Sequence, residues 1–550
     1  MKTNNEKQNH VYLRSKLDRK IKTENTLDRT LNQELQALTP KEQVFFKRFG
    51  LGQKVELPFL CIHHAFEAYA KATPDAIAVA HLGETITYKE LNQQANQLAQ
   101  ILVSHGIKKG DNVGLFITRS IPMVVGIFAI LKTGAAYVPQ HISIVPELQL
   151  KHIIKTASIS VILSLTDYKE KIPVIDTCKC IFLDNLKDHN DEFSDNNLIT
   201  LESSVNSEDR ALIIFTSGTT GPANGVQVSH RNICNILLTA PGNLGMRPGL
   251  KVGQILNIAF DMAVWEVLGC LANGATLIIR GKDIQETAEQ VDIIISTPTI
   301  LSTLNTEKCK HVKAVAVAGE PCPEYLANKW SQFCAFYNSC GPTETTIINT
   351  AQRYYPCDDL LTIGKPTPNN TVYILDKNKK PCAIGEIGEM WAGGDCVSMG
   401  YIENEQLTRE RYVPDPFLGH GRKMFRTRDL GRWTANGELE HFGRVDDQVK
   451  IKGFRVELDS VSNVLERIPT CKRAVALKYD SKTLVAFVSP DSIVEDEAKN
   501  KILSALPYFC VPERIIALKE LPKTSRGKID KKLLMDMAKN HLEKKYDGSN

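Results

Sequence analysis

A chain of 550 residues can bury more than one core, and length alone sets an expectation of roughly two to four domains. With 43% hydrophobic and 24% charged residues, it is neither disordered as a whole nor fibrous. The net charge of +4 is concentrated in residues 1–50, which hold 11 Lys and Arg against 6 Asp and Glu; the remainder is near neutral, which argues against a nucleic-acid partner.

In chain order, residues 1–50 read as a polar, basic N-terminal extension. Leu31, Leu35 and Leu38 fall at helical spacing, so a solvated and partly helical segment is predicted. No apolar run follows the first lysines, so no secretory signal is expected. From Leu60 onward, apolar strands alternate with amphipathic helices. AIAVA (76–80) and ITY (86–88) are strand-like. Residues 89–105 then set Leu91, Ala95, Leu98 and Leu102 on one face, with Thr87 and Glu90 as a capping box and Gly106 as the stop. IPMVVGIFAIL (121–131) is about half the length of a membrane span and reads as a buried helix, so no membrane partner is expected.

NVGLFI, ISVILS, ALIIF, QILNIA, ATLII, DIIIS and VKAVAVAG continue the pattern, most of them separated by helix-length segments. Continuous apolar strands are buried on both faces, which predicts an α/β fold with a parallel, doubly wound sheet. Beyond Asp446 the elements become shorter and more basic, with helices over 461–467 and 495–505, as in a small α+β domain. The expected division is 1–50, 51–445 for the large domain, and 446–550 for the small one. The 14 cysteines show no metal-ligand spacing; several (Cys234, Cys270, Cys334) sit in apolar runs, as reduced thiols of a cytoplasmic protein would.

The strongest local signal is TSGTTGPANG (216–225), directly after ALIIF and before a helix opening near Ser229. Its glycines and hydroxyls suit a nucleotide polyphosphate, though no GK[ST] closes it as in a Walker A loop; a plain surface loop is the alternative. Further segments follow in order: ITYKEL (86–91), LKTGAAYVP (131–139), FDMAVWE (260–266), NSCGPTE (338–344), GEIGEMWAGG (385–394), FRTRDL (425–430), GRVDDQVKIKGFRVEL (443–458), LPYFCVP (506–512) and SRGKIDKK (525–532). Taken together with the Thr216 loop, they resemble the adenylate-forming superfamily, and within it the amino-acid adenylation domains of nonribosomal peptide synthetases.

The resemblance implies a large α/β domain with a small mobile C-terminal domain, and two half-reactions in one site. A substrate carboxylate attacks the α-phosphate of ATP and expels pyrophosphate; the acyl group then passes to a thiol. Lys528 matches the catalytic lysine, although alone it would read as a solvated basic residue. Losing such a preorganised donor costs roughly 10²–10³ in rate. ATP binding is implied for Thr216, Ser217, Gly218, Thr219, Thr220, Gly221, Gly225, Gly319, Glu320, Ser339, Cys340, Gly341 and Thr343. Asp429 is placed at the ribose, or else is a surface-turn aspartate, and Arg444 is placed beside the nucleotide. Glu344 with Thr216 is the implied Mg²⁺ position. Asp446 matches the hinge about which the small domain exchanges Lys528 for the segment around Lys452-Gly453.

Asp261 matches the aspartate that pairs with an α-ammonium, with a helix N-cap as the alternative. The side-chain pocket implied by register is Met262, Trp265, Ile295, Ala316, Ala318, Ser339, Ile347 and Ile348, which predicts a neutral, apolar or aromatic amino acid; Trp265 equally suits a core. Four positions depart from the family pattern. Cys340 stands for an aromatic that stacks on adenine, a loss of roughly 5- to 150-fold in affinity. Asn224 stands for a lysine, Arg428 for a glycine, and QHI (140–142) for LDP. The chain ends 22 residues after Lys528, which sets the expectation of a phosphopantetheine carrier protein acting in trans, with a small helper protein as a further partner. LTPKEQVFFKRFG (38–50) is similar to the connector after a condensation domain. An acyl- or aryl-CoA ligase of the same fold and a non-catalytic adenylate-binding paralogue are the competing readings.

Overall fold

The computed structural model describes residues 38–184, 205–216, 223–418, 421–445, 448–523 and 529–543. Leu31 and Leu35 lie outside the described residues.

Two large sheets organise the first four hundred residues. One has nine strands, running in space from Lys365–Pro366 through Thr350–Tyr354, Ala335–Cys340, Ala314–Val317, Ile293–Ser296, Lys251–Gln254, Thr276–Ile279 and Ile77–His81 to Glu84–Thr87. Its central strands are parallel, as their unbroken apolar runs predicted, while both margins are antiparallel. The other has seven, with Asn112–Phe116, Ala136–Gln140, Val161–Ser164 and Lys179–Phe182 parallel to one another. Helices Ile62–Ala72, Tyr88–Ser104, Ile121–Lys132 and Asp261–Ala272 share one core with inward side chains of both sheets. The outer faces are covered separately, by Trp330 with Leu326 on the first sheet and Leu150 with Ile153 on the second. This is the doubly wound arrangement in duplicate.

The predicted helix after ITY is Tyr88–Ser104, and both halves of the Thr87–Glu90 capping box form. The apolar run at 121 is the buried helix Ile121–Lys132. One expectation holds and one is corrected. A helix does open after Ser229, which caps His230–Leu237; the strand Asn224–Ser229 precedes it, paired antiparallel with Arg210–Thr216. Residues 40–49 are not solvated extension. Thr39 closes a capping box on the helix Pro40–Phe49, whose Phe46 is buried and stacks on Tyr373 at 5.6 Å. The FF-x-x-F spacing turns three phenylalanines onto one side of that helix, and burial of such rings outweighs the segment's charge.

That helix packs on a third, antiparallel sheet that the sequence patterns did not predict: Asn370–Leu375, Gly388–Gly394, Lys423–Trp433, Tyr412–Pro414 and Leu439–Arg444. The small domain follows as a hairpin, Gln448–Ile451 with Phe454–Glu457, and a three-stranded sheet carrying helices Leu458–Glu466 and Glu495–Ala505.

Candidate active site

The carboxyl edge of the nine-stranded sheet, the third sheet and the small-domain hairpin enclose a cavity of about 810 Å³. Strand ends deliver most of its wall. Ser339, Cys340 and Gly341 close the strand Ala335–Cys340, while Ala318, Gly319 and Glu320 follow Ala314–Val317. Among the described residues, Ser339 Oγ and Glu320 Oε1 are buried without a hydrogen-bond partner, so the wall presents polar atoms that a ligand can satisfy. A Cβ at Gly341 would come within 2.5 Å of the Ile348 backbone, so only glycine lets the chain turn there. Ile347, on the same turn, holds φ at +70°. For a β-branched residue that is strain of about 1–3 kcal/mol, held by its surroundings.

Asp261 is the first residue of the helix Asp261–Ala272, whose cap is Phe260 without a side-chain bond; the N-cap alternative is therefore set aside. Its carboxyl faces the cavity. Burial raises its pKa, against a hydrogen bond from Thr343 and the charge of Lys450, which reaches in from the hairpin. Met262, Ala318 and Ile347 form the apolar wall beside it. Trp265, Ile295, Ala316 and Ile348 do not line the cavity. Ile295 and Ala316 sit inside their strands, facing the core between the sheets, and only residues past the strand ends emerge. Trp265 is fully buried and donates its indole N–H to the Gly242 carbonyl at 2.5 Å, as a core tryptophan does.

On the third sheet, Asp429 and Arg444 are cross-strand partners, with Nη1 to Oδ1 at 2.7 Å. Burial would raise Asp429, but the His441 hydrogen bond and the Arg444 charge hold it below its usual range. Asp429 thus stays an acceptor suited to a diol. Cys340 faces the same space, its thiol pushed up to about 12 by burial. Arg428, where a glycine was expected, takes φ +64° at the bulge beside Asp429 and pairs with Glu410 at 2.7 Å.

Glu344 is fully buried and accepts from Tyr401 Oη at 2.6 Å and from Arg455 Nη1 at 3.1 and 3.2 Å. Burial would raise its pKa, yet Arg455, Arg411 and the Tyr401 hydroxyl bring it to about 2. A divalent cation would need oxygens that Arg455 and Tyr401 hold, so in this arrangement the residues do not fit a metal at Glu344. Thr216, the other implied ligand, is buried and donates to the Asn224 carbonyl at 3.4 Å. Gly225 is not brought to the cavity; it lies inside a strand, where a Cβ would press on Ile402 at 2.7 Å. Asn224 accepts from Asn404 at 3.0 Å. Lys528, Ser217, Gly218, Thr219, Thr220, Gly221 and Asp446 lie outside the described residues.

Phe454 stacks on Phe509 at 4.3 Å with rings 7° apart, and touches Phe260, the cap of the Asp261 helix, at 5.0 Å. Lys450, Lys452 and Gly453 complete the wall. Sequence reasoning named the hairpin segment but not Arg455 or Tyr401, whose partner Glu344 is over fifty residues away in each case. It also missed Arg119 and Arg280. His141, inside the departing QHI, is a wall residue.

Residues 66–402 match the family described as AMP-binding enzyme. The chain is 45% identical over 516 residues to adenylate-forming reductase 06235 of Coprinopsis cinerea, covering 93% of this chain and 50% of the relative. It is 32% identical over 501 residues to gramicidin S synthase 1 of Brevibacillus brevis, covering 86% of this chain and 44% of that one. It thus spans about half the length of the reductases it matches. Among solved structures it superimposes on NpsA-ThdA, an artificially fused adenylation–PCP didomain from Klebsiella oxytoca, with a TM-score of 0.75 at 25% identity, covering 83% of this chain and 93% of that one. The chain therefore belongs to the AMP-binding enzyme family, as an adenylate-forming enzyme of the nonribosomal-peptide-synthetase adenylation-domain type.

Proposed function

We propose that this enzyme activates an α-amino acid with a neutral, apolar or aromatic side chain, and passes the acyl group to a phosphopantetheine thiol on a carrier protein. The observation that carries the reading is Asp261, a carboxylate in the cavity wall beside Met262, Ala318 and Ile347. Burial makes that carboxylate costly; the Thr343 hydrogen bond and the Lys450 charge offset part of the cost, and an α-ammonium is a cation of the right size to offset more of it. Asp429 would hold the ribose hydroxyls, while Ser339 and Glu320 offer their unpartnered oxygens to the nucleotide. The substrate carboxylate attacks the α-phosphorus and pyrophosphate leaves; the thiol sulfur then attacks the acyl carbon, and AMP departs. Lys528 is assigned to the first step by resemblance, and helper dependence belongs to the same proposal.

A second reading concerns the step after activation. The 45% identity to an adenylate-forming reductase favours reduction of the acyl thioester by another part of a longer protein. Detection of an aldehyde or alcohol product in the presence of a nicotinamide reductant would distinguish it.

The deciding experiment is substrate-dependent ATP–pyrophosphate exchange with amino acids and with their des-amino counterparts. Exchange with one amino acid, reduced roughly 10²–10³-fold by Asp261→Asn, is the expected result. Equal exchange with the des-amino acid, insensitive to Asp261→Asn, would overturn the amino-acid assignment.

A further inference from the structure

The helix Pro40–Phe49 lies outside the cavity, yet its rings reach the strands that carry Asp429. Its C-terminal end is tied to the strand Asn370–Leu375. The Val372 N–H donates to the Gly50 carbonyl at 3.0 Å, the Gly52 N–H donates to the Asn370 carbonyl at 2.8 Å, and Leu51 bridges Thr371. Successive residues of a strand point to opposite faces, and the rings of the helix meet both. Phe46 stacks on Tyr373 on one face, while Phe45 and Phe49 pack with Trp433 and Leu439 on the other.

Trp433 and Leu439 belong to the antiparallel pair Lys423–Trp433 and Leu439–Arg444, which meets the nucleotide end of the cavity at Asp429, His441 and Arg444. Phe45 meets Trp433 edge-on at 6.2 Å, and Asp429 lies four residues along the same strand, about 13 Å away. Phe49 lies on Gly437, in the turn that joins the two strands. A Cβ at Gly437 would come within 2.2 Å of the ring, so the bare backbone, at φ +75°, is what admits the contact. The same ring takes Lys365 Nζ at 5.2 Å, and Lys365 belongs to the marginal strand of the nine-stranded sheet. One side chain therefore touches both sheets that furnish the nucleotide wall. The strand Leu439–Arg444 benefits most from that support. It pairs with Lys423–Trp433 alone among the described strands, with two further backbone bonds from Leu439 to Ile363 and Gly364. A two-stranded ladder is marginal without packing on it. Its far end carries His441, 3.6 Å from Asp429, and Arg444.

We propose that Phe49 is a positioning residue for ATP: by pinning the Gly437 turn it fixes Asp429, His441 and Arg444 where the ribose hydroxyls arrive, without itself lining the cavity. This rests on the assignment of Asp429 to the ribose in the reading above. A carboxylate receives hydroxyls well only when its support holds it to about half an ångström, and that support comes here from a helix nearly four hundred residues away in the chain.

The test compares calorimetric binding of ATP and of 2′,3′-dideoxy-ATP to the wild-type enzyme, Phe49→Ala and Phe49→Tyr. The readout is the ratio of the two Kd values, in which a loss of folded protein cancels. The wild type should favour ATP by about 10–100-fold, the worth of hydroxyls donated to a charged acceptor. Phe49→Ala should lower that preference by about fivefold or more, through weaker ATP binding with dideoxy-ATP unchanged, and Phe49→Tyr, which keeps the ring, should retain it. An unchanged preference in Phe49→Ala overturns the proposal, as does equal weakening of both nucleotides, which would mark a general loss of structure. Should Phe49→Ala fail to fold, Phe49→Leu, which keeps the burial without the flat ring, carries the same readings. A wild-type preference near one would sink the ribose assignment of Asp429 by itself. Amide hydrogen exchange then decides the role of Phe49: faster exchange over residues 429–444 in Phe49→Ala, with Ala335–Cys340 unchanged, supports it, and equal rates in variant and wild type, or equal acceleration in both segments, refute it.

Discussion

Two parts of the cavity wall are built in different ways. The strand-end wall is fixed within the large domain: Asp429 meets Arg444 across one ladder, and Gly341 is closed in by the Ile348 backbone. The hairpin wall comes from the small domain and is held by contacts that cross between domains, Arg455 to Glu344 and Phe454 to Phe260. The first can be rigid because its partners are neighbours in one sheet. The second rests on side-chain contacts from another domain and not on a shared ladder. Glu344 lies beneath the first wall and is satisfied by Tyr401 of the large domain together with Arg455 of the hairpin, so it ties the two walls.

The largest expected effect tests that tie. Arg455→Met leaves the Glu344 carboxylate buried, with the Tyr401 hydroxyl still donating to it. Breaking one side of a buried pair costs about 3–5 kcal/mol, and here the hairpin can escape the cost by undocking. Amide hydrogen exchange over residues 448–457 is expected to accelerate at least a hundredfold, with the strand Ala335–Cys340 unchanged. Equal acceleration in both would show that the two walls unfold together and would end the distinction.

A middle-sized effect belongs to the fixed side alone. His63 and His230 are buried in the large domain with ring centroids 5.3 Å apart, and neither ring nitrogen of His63 is bonded to a described residue. Burial lowers both pKa values, His230 to about 3. Below pH 6.5 the unfolded chain takes up protons that the folded chain refuses, so their stabilisation is complete above that pH. It declines as pH falls, for His230 down to about 3, by about 1.4 kcal/mol per unit for each ring. Urea midpoints measured between pH 7 and 5 should fall with that slope, and His230→Gln should remove about half of it. Hairpin exchange rates, corrected for intrinsic chemistry, should not follow the same curve.

What the sequence disclosed divides along similar lines. Local signals were legible: the Thr87 capping box, the apolar helix at 121 and the unbroken strands each follow from nearest-neighbour chemistry. The ordered motifs placed Asp261, Ser339, Thr343 and Asp429 around one cavity. Long-range choices were not legible. Trp265 had an equal claim to pocket and core, and a backbone carbonyl at Gly242 is what settles it. Arg119 and Arg280 look like two surface cations until two sheets bring their carboxyl ends together. The third sheet was missed because its strands are interrupted by glycines such as Gly393, Gly394 and Gly431, which mask the period-two alternation.

The smallest effect concerns a position next to Asp429 in the strand-end wall. Arg428 precedes Asp429 and takes φ +64°, a conformation in which glycine is unstrained and an L-residue costs about 1–2 kcal/mol. Its return is an ion pair with Glu410, in which Glu410 is 49% exposed; such surface pairs contribute about 0–1 kcal/mol. Arg428→Gly gives up that pair and relieves the strain, so stability should rise slightly or stay level, within about 1 kcal/mol by urea denaturation. Glu410→Gln, which keeps the strain and loses only the charge, should be slightly destabilising, and the two changes combined should match Arg428→Gly alone. A loss well beyond 1 kcal/mol in Arg428→Gly would mean that the arginine braces the bulge that presents Asp429. Asp429 would then belong with the hairpin, among the residues whose position is held by charge rather than by the sheet.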